Sequence, residues 1–66
     1  KSGVADVLLL IPKKGYANLY LEFKTDKGRQ SDEQKEFQRQ IEGAGGKYII
    51  VRSVKQAIEV MKGYLG

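Results

Sequence analysis

Three residues, Asp6, Glu22 and Lys24, are of the types and spacing that handle a phosphoryl group. Asp6 is the one charge in the apolar run of residues 4–11. A carboxylate there is costly unless a cation, a hydrogen-bond network or exposure at the strand's end compensates it. Glu22 and Lys24 are two apart in an alternating segment, so both project from one face, about 6.6 Å apart along the backbone. A short connection through Pro12 and Gly15 makes an antiparallel hairpin, which brings the start of the first strand beside the end of the second. Asp6 then lies next to the Glu22–Lys24 pair. Hard cations such as Mg²⁺ take one or two carboxylates together with water and a phosphate oxygen. A cation so held polarises the phosphoryl centre and acidifies a bound water, and a neighbouring lysine orients that water or stabilises the developing charge. Glu-x-Lys alone is also what a solvated strand face looks like; the convergence of all three residues is the specific signal.

Composition narrows the chemistry further. The 66 residues contain no cysteine and no histidine, which excludes disulfides, thiolate metal sites and imidazole mechanisms. Carboxylates with lysine are what remains. Twelve basic against eight acidic residues give a net charge of +4, which permits a polyanionic partner without requiring one. No apolar run reaches the roughly 18 residues of a membrane span, and the lack of cysteine fits a cytoplasmic setting, of a phage or bacterial host. A chain this short buries only about 60% of its unfolded surface. Self-association or flanking structure is therefore expected to help hold the domain together, and the start at Lys1 suggests a fragment or processed product.

The elements that must position these residues read in the order ββαβα, one domain over residues 1–66. Residues 4–11 look like a central strand covered on both faces. Residues 17–25 alternate, with Leu19, Leu21 and Phe23 on one face and Asn18, Tyr20, Glu22 and Lys24 on the other. Ser31 and Gln34 form a capping-box pattern that opens a helix with Gln34, Phe37 and Ile41 on one stripe. Gly43, Gly45 and Gly46 stop it. Residues 48–51 form a third strand, parallel to the second because a helix intervenes. Ser53 and Gln56 repeat the cap, and the last helix turns Val54, Ala57, Ile58, Met61 and Leu65 inward.

Gly3-Val4-Ala5-Asp6, Leu21-Glu22-Phe23-Lys24 and Ser31-Asp32-Glu33-Gln34, in this order with short loops, resemble the VRR-NUC (virus-type replication-repair nuclease) branch of the PD-(D/E)XK superfamily. The resemblance spans nearly the whole chain. It implies an α/β, restriction-endonuclease-like mixed sheet flanked by helices. It also implies Mg²⁺- or Mn²⁺-dependent hydrolysis of DNA phosphodiesters, with branched or structured DNA as substrate and a homodimer to engage it. Carried over by motif, Asp6 and Glu22 become metal ligands together with the Phe23 carbonyl, Lys24 the catalytic lysine, and Gln34 a residue lining the site. Capping by Ser31 accounts for Gln34 equally well. Two departures stand out: Ala5 replaces the usual proline, and the helix and strand that normally precede the aspartate strand are missing. An acidic residue often supplied by that helix is missing with them, which puts a second metal and full activity in question.

Lys13, Lys14, Lys27 and Arg29 are candidate contacts to a DNA backbone, with solvated loop charge as the plain alternative. Tyr20 shares the site face, placed to pack against a sugar or base, or under a further structural element. Besides the nuclease, the sequence admits a nucleic-acid-binding module without catalysis and a structural fragment in which the charged trio is a relic.

Overall fold

The computed structural model describes residues 6–66. Its elements are β1 (Val7–Leu9), β2 (Leu19–Phe23), α1 (Asp32–Gly43), β3 (Lys47–Val51) and α2 (Val54–Leu65). They form a three-stranded mixed sheet in the order β1-β2-β3. β1 runs antiparallel to β2 with Val7 opposite Leu21, and β3 runs parallel to β2 with Tyr20 opposite Tyr48. The ββαβα order and the parallel third strand are as the sequence predicts.

The hairpin closes through a bridge between Lys13 and Tyr16. Lys14 and Gly15, the two residues between, both take positive φ, at 52° and 85°. A tight turn of this kind matches the right-handed twist of the strands, and glycine adopts it without a Cβ penalty. At the other end of α1, Gly46 is buried, and a Cβ there would lie 2.3 Å from the Asn18 side-chain oxygen. That close approach lets Lys47 N–H reach the Asn18 carbonyl at 2.9 Å and begin β3 in register.

Two expectations are corrected. The opening apolar run is not a central strand: β1 is three residues at the sheet edge, and Leu8, Leu10 and Ile11 are exposed, Leu10 at 73%. The hairpin fills one side of β2 and the crossover through α1 fills the other, so β2 is the strand flanked on both sides. Residues 4 and 5 of the run, like the rest of the motif before Asp6, lie outside the described residues.

The inward face of α2 is the second correction. Ala57 and Tyr64 are buried, with Val60 and Met61 packed beside them, whereas Val54, Ile58 and Leu65 are exposed. Two apolar stripes overlap on this helix, and a sheet of three short strands covers one of them. The core lies between α2 and one face of the sheet, built on Leu19, Leu21 and Val51, with Val7, Leu9, Phe23 and Ile49 around it. Tyr64 anchors the end of α2 by donating its hydroxyl to the Ile11 carbonyl at 2.6 Å.

α1 covers the opposite face, and it contributes no fully buried residue. What lies beneath it is mixed in character: the Tyr20 and Tyr48 rings, which its own Phe37 meets edge-on, and the Glu22 carboxylate.

Candidate active site

Glu22 stands on the central strand, on the face that α1 covers, and is 0% exposed. The alternation of β2 puts it there: Leu19 and Leu21 must enter the α2 core, so Tyr20 and Glu22 must point the other way. Burying a carboxylate is tolerable only with partners, and its two oxygens are treated unequally. Oε1 accepts from the Tyr48 hydroxyl and from Gln30 Nε2 at 3.0 Å. Oε2 has no hydrogen-bond partner among the described residues, and the Lys24 ammonium stands 3.5 Å from it. Lys24 is a partly buried cation, its side chain 19% exposed.

Asp6 lies one residue before β1, where the strand register carries it toward Glu22. Its Oδ2 accepts from the Tyr20 hydroxyl at 2.8 Å and its Oδ1 from the Phe23 N–H at 3.0 Å. Because Tyr20 and Glu22 share a face of β2, Asp6 is on the same side of the sheet as Glu22 and Lys24. The side chain of Asp6 takes a backbone donor on the β1 side of β2, just past the end of the ladder. Lys24 N–H points the other way, to the Val51 carbonyl at 3.0 Å. A strand residue's N–H and C=O project to the same side, so the Phe23 carbonyl is directed toward Asp6.

The tyrosines bind these groups into one cluster. The Tyr20 and Tyr48 rings stack at 5.0 Å with 14° between planes, and Phe37 from α1 meets Tyr20 edge-on at 4.9 Å. Burial and then the Asp6 carboxylate push the Tyr20 hydroxyl up to about 12. Burial and the hydrogen bond to Glu22 push Tyr48 up as well. Both hydroxyls therefore remain donors to their carboxylates throughout the neutral range.

Gln34 makes the capping contacts that its spacing from Ser31 predicts. Its N–H donates to Ser31 Oγ at 3.1 Å, and its Oε1 accepts from Ser31 N–H at 3.0 Å. The glutamine that reaches Glu22 is Gln30, from the loop; its Nε2 also donates to Gln38 Oε1 at 3.0 Å, and Gln38 in turn donates to Glu42 at 3.1 Å. Tyr48, Gln30, Gln38 and Arg52 were not singled out by sequence reasoning. For Tyr48 the parallel register opposite Tyr20 is the signal that could have found it; for Gln30, a loop residue, periodicity offers none.

The basic candidates divide by position. Lys27 and Arg29 sit in the loop that leaves the end of β2, beside the cluster. Arg52 holds that loop, donating to the carbonyls of Thr25 and Gly28. A groove of about 500 Å³ opens there between the Thr25–Gly28 turn and Ser53, with Lys24 in its wall. Both helices begin at this end of the sheet, capped by Ser31 and Ser53, and direct their positive dipole ends toward it. Lys13 and Lys14 lie at the opposite end, at the hairpin turn, where Lys14 donates to the Gly66 carbonyl at 3.2 Å.

The donor set fits a hard divalent cation. Every available ligand is oxygen, and a buried carboxylate oxygen without a hydrogen-bond partner is what a cation would satisfy. Two acidic side chains supply it; among the described residues no group of three or more Asp, Glu, His or Cys side chains gathers.

A mixed sheet of ββαβα order, with an acid–acid–lysine cluster at the carboxyl end of its central strand, defines the restriction-endonuclease-like class. The chain belongs to the VRR-NUC domain family, a family of nucleases, whose model matches residues 1–55. No curated protein and no solved structure matches it.

Proposed function

We propose that this domain is a divalent-metal-dependent DNA endonuclease in which Asp6, Glu22 and the Phe23 carbonyl hold Mg²⁺ or Mn²⁺ and Lys24 is the catalytic lysine. The observation that carries this reading is the fully buried Glu22, whose Oε2 lacks a hydrogen bond and faces Lys24 on the same side of the sheet as Asp6. A purely structural buried ion pair would be expected to have both carboxylate oxygens hydrogen-bonded.

In this mechanism the bound ion supplies Lewis-acid polarisation of the scissile phosphate and a more acidic water. Asp6 and Glu22 fix where that charge sits. The Lys24 ammonium lies beside the same oxygen, placed to orient the attacking water or to meet negative charge as it grows on the phosphoryl oxygens. Lys27 and Arg29 then neutralise flanking phosphates, with Arg52 holding their loop in place. Gln34 contributes through the α1 cap. Lys13 and Lys14, at the other end of the sheet, are assigned no contact to the reacting phosphate.

The substrate we assign is branched or structured DNA, and the assembly a homodimer acting in the cytoplasm. Support for self-association comes from the uncovered apolar side chains, Leu8, Leu10 and Ile11 along the sheet edge and Val54, Ile58 and Leu65 on α2. The test is nicking of a branched duplex and a linear one, with Mg²⁺, with Mn²⁺ and with chelator, alongside sedimentation of the protein. Metal-dependent nicking of the branched substrate that disappears in Lys24→Ala is expected. Salt-sensitive binding that ignores both the metal and Glu22→Ala would replace this proposal with a non-catalytic binding module.

A further inference from the structure

Glu22 is held in a way that bears on which ion it takes. A carboxylate oxygen has two lone-pair directions. On Oε1 both are spent, one on the Tyr48 hydroxyl and one on Gln30 Nε2. Oε2 carries no hydrogen bond. The donors are themselves immobilised: the Tyr48 ring stacks on Tyr20 with Phe37 against both, and the second N–H of the Gln30 carboxamide is tied to Gln38.

We propose that Tyr48 and Gln30 are positioning residues that restrict Glu22 to one-oxygen, Oε2-only coordination and thereby favour Mg²⁺ over Ca²⁺. This rests on the metal-site reading above. Mg²⁺ demands near-octahedral geometry, and the narrow bite of a chelating carboxylate departs from it; Ca²⁺ takes six to eight oxygens and accepts either mode. Saturating one oxygen with two fixed donors removes the chelating mode from the repertoire of Glu22. Asp6 is held differently: Oδ2 accepts from the Tyr20 hydroxyl and Oδ1 from the Phe23 N–H, one bond each, so neither oxygen is saturated, and the Tyr20 ring braces Tyr48.

The experiment is calorimetric titration of Mg²⁺ and of Ca²⁺ into the whole chain and into Tyr48→Phe, with a metal-free thermal melt of each. Tyr48→Phe keeps the stacked ring and removes only the hydroxyl. Mg²⁺ affinity is expected to fall about tenfold or more, the size of effect seen when a hydrogen bond behind a metal ligand is lost. Ca²⁺ affinity falls less, so the Mg²⁺/Ca²⁺ ratio drops several-fold. Gln30→Leu takes the other donor from the same oxygen, from a loop, and is expected to shift the ratio in the same direction even if Tyr48→Phe does not fold. Equal losses for both ions, or an equal ratio shift in Tyr20→Phe, overturn the assignment. If the unaltered chain binds neither ion, the metal-site reading itself falls, an outcome distinct from a site that binds both ions without responding to these variants.

Discussion

Replacing Lys24 by alanine takes away the one ammonium or guanidinium within ion-pair distance of Glu22 among the described residues. At 3.5 Å and an effective dielectric of 20 their attraction is about 5 kcal/mol. Part is recovered when water enters the vacated space and hydrates Oε2, so a net loss of about 3 kcal/mol is expected, at the low end for a broken buried pair. A domain of this length has only about 3–10 kcal/mol of stability in total, so the metal-free variant stands near the edge of unfolding. A divalent ion on Oε2 restores the missing positive charge. Chemical denaturation in chelator and in saturating Mn²⁺ reads both effects. Lys24→Ala is expected to be much less stable than the unaltered protein in chelator, to recover most of the difference with Mn²⁺, and to cleave nothing in either condition while still binding DNA. A loss of stability that Mn²⁺ does not relieve would refute the reasoning, because the cation would then not be meeting the same oxygen. Undiminished cleavage would remove Lys24 from the mechanism.

Three further outcomes follow from the same geometry. Glu22→Gln retains an oxygen for Tyr48 and Gln30 but loses the charge, so calorimetry should find divalent-ion affinity reduced at least tenfold; an unchanged affinity would take Glu22 off the ligand set. Tyr20 and Tyr48, both held above the ordinary tyrosine value of 10.0, stabilise the fold fully below about pH 10; the Tyr20 contribution is lost as pH rises through about 12, and that of Tyr48 is likewise lost only above the ordinary tyrosine range. A phenolate absorbance titration should lose late-ionising amplitude in Tyr20→Phe and in Tyr48→Phe, and a loss at the ordinary tyrosine pH instead would contradict the buried hydroxyl–carboxylate bonds. Lys27→Ala and Arg29→Ala should each weaken DNA binding and reduce the salt slope by about 1. Lys13→Ala should leave it unchanged, and fluorescence anisotropy across a salt series would expose any reversal of that order.

Much of this molecule was legible along the chain. The alternation of residues 19–23 is a local property, and it alone dictates that Tyr20 and Glu22 face away from Leu19 and Leu21. Local pattern likewise set both N-caps, the glycine-bearing hairpin turn and the parallel third strand after a helix. Strand placement was not local. An apolar run reads the same at the middle of a sheet as at its edge, and β1 became an edge because β3 took the other side of β2. The α2 stripes could not be ranked without knowing how much sheet lay beneath them; three short strands bury Ala57 and Tyr64 and leave Val54, Ile58 and Leu65 outside. The cluster divides the same way. Residue types and spacing named Asp6, Glu22 and Lys24, because a two-residue repeat and a hairpin fix their shared face. Only the folded chain brings in Tyr48 and Gln30, whose contacts with Glu22 span 26 and 8 residues and depend on how the loop and β3 close over the carboxylate.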